Sequence, residues 1–157
     1  MAAKELIGGK LYDISSPQIN HARILHNLRL VFADYDCHGR MIYIDEENQP
    51  VPDLIVAEKS LAIELISPET IMLDRHHKMK LYAQHGIEEY WIVDAHMLAI
   101  EMYRLCHINR AYALHDICVM LSKADGFIGL TTSAFSGPAI KMQDIFADVY
   151  ENVLERR

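Results

Sequence analysis

A chain of 157 residues with 51% apolar and 24% charged side chains has a globular composition and enough length to bury a core of its own, so one domain over residues 1–157 is expected. A net charge of −7, without any run of Lys and Arg, argues against tight nonspecific binding to nucleic acid. No apolar run approaches the about 20 residues of a membrane helix. The opening MAAKELIGGK lacks the apolar core of a secretory leader, and Cys37, Cys106 and Cys118 are odd in number and scattered. Reduced thiols in a cytoplasmic protein, with no membrane segment, are therefore expected.

In chain order, residues 6–13 (LIGGKLYD) read as a short strand or turn, an arm laid against a sheet. Ser16 as N-cap and Pro17 in the first turn then start a helix. Its face of Ile24, Leu25, Leu28, Val31 and Phe32 carries it to about Asp34, with His21 near its start. Residues 40–45 (RMIYID) are expected to form the first strand of the main sheet, and 46–50 a polar turn. Asp53 opens a short apolar strand at 54–57, and a second strand follows at 61–66. Pro68 and Thr70 stop the extended run, and 71–85 reads as a helix closed by Gly86. Its core face is Ile71, Leu81 and Ala83 with the stems of Met79 and Tyr82.

The continuous apolar run of 89–94 (EYWIVD) predicts a strand buried on both faces. Residues 99–105 and 110–116 predict an antiparallel hairpin, 121–138 short strands and loops, and 142–154 a closing helix. That helix lays Ile145, Phe146, Val149 and Val153 on the core, with Asp144, Asp148 and Glu151 solvated. Strand, strand, strand, helix, strand is an α/β order with a mixed sheet.

Glu64 interrupts a strand that otherwise reads as core. A carboxylate buried there costs several kcal/mol unless a cation, donor or water replaces its hydration. Two partners suit it: a structural Lys or Arg, or a divalent metal shared with Asp53 on the preceding strand. Asp74, Lys78 and Tyr82 are spaced four apart and share a helical face. They form either an exposed pair worth a few tenths of a kcal/mol or part of a site with Glu64; the adjacent carboxylate favours the site. His76 and His77 diverge on the helix and lack a second ligand pair, so they are read as solvated, with one of them able to face Lys78, and zinc is not expected.

These residues together resemble the Uma-type restriction-endonuclease family, a branch of the PD-(D/E)xK nuclease superfamily. The resemblance rests on Pro52-Asp53, Glu64-Leu65 with Ser67-Pro68 and Thr70, Asp74, Lys78, Tyr82, Gly86, and Glu89-Tyr90-Trp91 with Asp94. Weaker fragments at Gly9, His21, 101–105 and 144–146 extend it. It implies a restriction-endonuclease-like core, a central mixed β-sheet flanked by helices. It also implies a DNA endonuclease with catalytic Asp53, Glu64 and Lys78, which binds Mg2+ (or Mn2+) through Asp53, Glu64 and the Leu65 carbonyl. His21, Asp74 and Tyr82 are further cleft candidates.

Two departures accompany the match. The superfamily lysine two positions after the second acid is replaced by Ile66, which implies that Lys78 on the next helix supplies the amine. Only residues 58–60 separate the two strand runs, which means either a tight hairpin or a loop missing from the sequence. The expected partner is DNA, bound weakly or through metal, with a homodimer as the form that cuts two strands. The alternatives are a catalytically inactive nuclease-like module that binds nucleic acid or protein, and a metal-dependent hydrolase acting on something other than DNA.

Overall fold

The two apolar runs that carry Asp53 and Glu64 lie inside the main sheet. The computed structural model describes residues 3–14, 18–132, 134–136 and 138–157. The sheet has six strands in the order β3 (Cys37–His38), β4 (Leu54–Val56), β5 (Leu61–Ile66), β6 (Glu89–Asp94), β7 (Ala99–Cys106) and β8 (Ala111–Val119). All neighbours are antiparallel except β5 and β6, which run parallel because a helical crossover joins them. The β4–β5 link is a tight hairpin: Ser60 N–H bonds to the Ala57 carbonyl at 3.1 Å, and Ala57 and Glu58 take φ of 50° and 55°.

Strand alternation divides the core into two layers. Ile63, Leu65, Trp91 and Val93 pack on one face with Ile24 and Leu28 of α1 (Ile19–Val31) and with Ile145 of α3 (Met142–Ile145). Ala62, Ile66, Tyr90 and Ile92 pack on the other with Tyr82 of α2 (Met79–His85). Each such fully buried aliphatic side chain contributes about 2 kcal/mol. With Ala62 and Ile66 on the α2 face, Glu64 between them projects toward the same helix.

Several expectations change. Residues 40–45 are not a strand of the main sheet. Ile42 and Ile44 N–H groups bond back to the Pro50 and Asn48 carbonyls, and Pro50 and Pro52 have no N–H with which to extend a ladder. The edge strand is instead Cys37–His38. The N-terminal arm is a hairpin, β1 (Lys4–Ile7) with β2 (Lys10–Asp13), bridged to residue Gln49 rather than to the central sheet. Ser16 and Pro17 lie outside the described residues, and α1 begins after Gln18 without a side-chain cap.

Residues 71–85 are helical and end at Gly86 with φ 87°, but Leu73–Lys78 forms a π-helical turn. Its inward face differs from the expected one: Asp74, Lys78, Tyr82 and Ala83 are buried, while Ile71, Met79 and Leu81 are only half-buried. The closing helix is broken into α3 and α4 (Tyr150–Leu154). Asn27 of α1 causes the break. Its side-chain amide donates to the Ile145 and Ala147 carbonyls at 3.0 and 2.9 Å, acceptors that a continuous helix would have used itself, and Asp148 turns the chain with φ 63°. Among the described residues no helix is long and apolar enough to cross a membrane.

Candidate active site

Glu64 is almost wholly buried, yet both its oxygens are engaged. Oε1 is 2.6 Å from Lys78 Nζ and accepts the Tyr82 hydroxyl at 2.7 Å, while Oε2 faces the Asp53 backbone N–H at 3.3 Å. Asp53, half-buried at the end of the loop before β4, is fixed in turn by the Leu65 N–H, which donates to Oδ2 at 2.7 Å. The antiparallel β4–β5 pairing puts residues 53 and 64 side by side, so the tight hairpin sets the spacing of the two carboxyls. Gly39 permits that approach: a Cβ there would stand 2.9 Å from the Asp53 carbonyl oxygen and 3.3 Å from that of Pro52.

Lys78 reaches the pair from the π-helical turn. Its ammonium is 2.6 Å from Glu64, donates to the Val51 carbonyl at 3.0 Å, and stands 3.1 Å from Glu5 Oε2 and 3.8 Å from Asp74 Oδ1. Wide turns of this kind recur where helices bring polar groups into functional sites. Here the turn carries both Asp74 and Lys78 inward, and the Tyr90 hydroxyl donates to the Asp74 carbonyl at 2.8 Å. Arg75, one residue on, grips Glu101 of β7 with two bonds of 2.6 and 2.7 Å, pinning the turn to the sheet.

Three carboxyls, those of Glu64, Glu5 and Asp74, thus stand around one ammonium with Asp53 beside Glu64, more acid than a single cation neutralises. Burial raises Glu64 from 4.5 to about 8; the Asp53 charge adds to the rise, while Lys78 and Tyr82 oppose it. Burial, helped by the Glu64 charge, lifts Asp74 to about 7. Burial also raises Asp53, against the pull of the Leu65 amide and Lys78. Burial alone would lower Lys78, but Glu64, Glu5 and Asp74 outweigh it and keep the ammonium protonated far above its ordinary range. Among the described residues no three or more His, Cys, Asp or Glu side chains form a chelating group. Asp53 and Glu64 are a two-carboxylate set of hard oxygens, which fits a cation that keeps waters and takes further oxygens from a phosphate.

The site opens into a cleft of about 760 Å3 whose walls include Asp53, Glu64, Leu65, Asp74, Lys78 and His21. His21 lies at the mouth, where burial and His96 lower its pKa against the pull of Asp94 and Glu69. Tyr82 does not line the cleft; fully buried, it stands behind Glu64 as a donor. His77 lines the cleft, and Lys80 is exposed. The sequence reading missed Glu5, a buried carboxylate beside Lys78. The signal was present but short: in KELI, Glu5 shares a strand face with the apolar Ile7.

Among solved structures, one similar chain has the fold in common. It is the crystal structure of "a putative nuclease belonging to DUF820" from Anabaena variabilis, with 18% identity, a TM-score of 0.69, and coverage of 93% of this chain and 90% of that one. The comparison with curated proteins finds no match. The Uma2 family, described as "Putative restriction endonuclease", matches residues 2–134, which take in the site and all six strands of the main sheet. With most of its length matched, this chain belongs to the Uma2 family.

Proposed function

We propose that the protein is a divalent-metal-dependent DNA endonuclease, one restriction-endonuclease-like domain that hydrolyses phosphodiester bonds with Asp53, Glu64 and Lys78. The observation that carries this reading is that the three groups meet in one cleft, with Glu64 2.6 Å from Lys78 and 3.3 Å from the Asp53 amide. Membership of a family described as restriction endonucleases supports a nuclease.

Asp53 and Glu64, with the Leu65 carbonyl, are the ligands we assign to Mg2+ or Mn2+. When bound, the ion supplies Lewis-acid charge at a phosphate oxygen and makes a neighbouring water more acidic. Lys78 is protonated at neutral pH and therefore serves as a donor that orients the attacking water or the phosphate. Asp74, 3.8 Å from the amine, orients Lys78 through its charge or serves as a further outer-sphere group, and His21 contacts the substrate at the mouth. In the reaction the water oxygen bonds to phosphorus and releases a proton to solvent, the bond to one sugar oxygen breaks, and that oxygen takes up a proton from solvent. Cutting both strands calls for two sites, so the cutting form is a homodimer; light scattering that finds only monomer under cleavage conditions rules that form out.

Supercoiled plasmid incubated with Mg2+, Mn2+ or chelator tests the assignment. Cleavage is expected only with the ions and is lost in Asp53→Ala and Glu64→Ala, which keep the fold. Lys78→Met retains calorimetric Mg2+ binding and loses turnover. Wild-type cleavage by either alanine variant refutes the site, and an active Lys78→Met moves the amine role to Lys80.

One observation favours a second reading, a noncatalytic scaffold. Lys78 Nζ has three protein oxygens within 3.1 Å, the Val51 carbonyl to which it donates and the carboxylates of Glu64 and Glu5, as in a purely structural ion pair. Calorimetry separates the two readings: a binding module gives no saturable Mg2+ or Mn2+ heat that Glu64→Ala removes.

A further inference from the structure

We propose that Glu5 is a positioning residue for Lys78, holding the amine from outside the central sheet; this rests on the role given to Lys78 above. Glu5 lies on β1, in the hairpin that meets residue Gln49. Its carboxylate is buried, and one oxygen makes two contacts. Oε2 is 3.1 Å from Lys78 Nζ and accepts the Val51 N–H at 2.9 Å. Val51 returns its carbonyl to the same ammonium at 3.0 Å. The hairpin, the π-helical turn and the loop carrying Asp53 are therefore tied at one point, two residues ahead of Asp53.

An ammonium has three hydrogens, and three acceptors stand around this one: Glu64 at 2.6 Å, Val51 at 3.0 Å and Glu5 at 3.1 Å. Asp74, at 3.8 Å, lies beyond hydrogen-bonding reach. Of the three acceptors only Glu64 belongs to the carboxylate pair. With Val51 accepting one hydrogen and the Glu5 carboxylate drawing the ammonium to its side, the amine stays against that pair, where it can donate to a water or a phosphate. Without Glu5 the flexible four-carbon stem keeps a single anchor apart from Glu64. A structural ion pair requires one carboxylate, and burying a second beside the same ammonium adds desolvation that core packing does not need. Placement of the amine is what the second carboxylate supplies.

The test uses the full chain. With Mg2+, Glu5→Ala is expected to lower kcat for plasmid cleavage about 100-fold, as displacement of a reacting group by about 1 Å does, while KM and calorimetric Mg2+ affinity stay within about 2-fold. Glu5→Gln keeps an acceptor oxygen at the same reach and is expected to recover kcat to within about 10-fold of the wild type. A second readout does not depend on activity. The Lys78 ammonium resonance, observed by 15N NMR and assigned with Lys78→Met, is expected to be protected from exchange in the wild type and Glu5→Gln, and broadened or lost in Glu5→Ala. If Glu5→Ala fails to fold, Glu5→Asp, one carbon shorter, replaces it with the same expectations. An ammonium resonance indifferent to the loss of Glu5 overturns the proposal whether or not the protein cleaves DNA. So does a fall in kcat that Glu5→Gln does not recover, or one matched by an equal loss of Mg2+ affinity. If the wild type does not cleave while the resonance responds to Glu5 as expected, the placement stands and the nuclease reading falls.

Discussion

Glu64 sits in the middle of a strand whose every residue is buried, and its ionisation contributes, with that of Asp74, to the pH response of the metal-free protein. Its folded pKa of about 8 lies above the ordinary 4.5 because burial disfavours the charge. Between those two values the folded state holds a proton that the unfolded chain has lost, so stability falls as pH rises through this window. It is fully present below the lower value and lost above the higher one. Urea unfolding in chelator is expected to show the wild type losing up to about 1.4 kcal/mol per pH unit from this group, and Glu64→Gln losing less. A wild type whose stability is flat from pH 5 to 8 counts against the buried proton. Gly39 makes a second residue-scale prediction. Gly39→Ala places a Cβ 2.9 Å from the Asp53 carbonyl oxygen, so the Asp53 loop must shift. A loss of about 1–3 kcal/mol is expected, with weaker Mg2+ binding by calorimetry; unchanged binding would mean that Asp53 tolerates the shift.

At the scale of elements, the apolar runs located strands at 54–57, observed as 54–56, and at 61–66 and 89–94, because continuous apolar runs of that length have few other uses. It placed the helix at 71–85 but not its inward face, since a buried Asp74–Lys78 pair reads in sequence like a solvated one. It also joined α3 and α4, because the apolar positions Ile145, Phe146, Val149 and Val153 fit one helical stripe. Asn27, 118 and 120 residues away from the two carbonyls it binds, overrides that pattern. Asn27→Ala leaves both acceptors without this donor and is expected to cost about 2 kcal/mol in urea unfolding. A cost below a few tenths of a kcal/mol would mean that water or a continued helix replaces the bonds.

For the whole molecule, charge sets the condition on the proposed binding of DNA. The cleft is lined by the carboxyls of Glu5, Asp13, Asp53, Glu64, Glu69 and Asp74, against the fixed cations Arg29 and Lys78, and the chain as a whole carries −7. Such a surface repels phosphates unless divalent cations reverse the local field. A labelled duplex titrated into Lys78→Met, the variant proposed to lose turnover, is expected to associate measurably with Mg2+ or Mn2+ and not in chelator. Equal affinity in both conditions would place DNA on another face.

By itself the sequence determined that Glu64 needed a partner, because it breaks an apolar strand, that Asp53 stood at the start of the neighbouring strand, and that Lys78 lay on the next helix. Its resemblance to the Uma-type family added the family. Only the tertiary structure decided that Lys78 is shared among Glu64, Glu5 and Val51, that Tyr82 stands behind the carboxylate, and that residues 40–45 leave the sheet. Those outcomes depend on the π-helical turn and on a hairpin docked from the other end of the chain. Contacts between segments far apart in sequence leave no period for a reader to find.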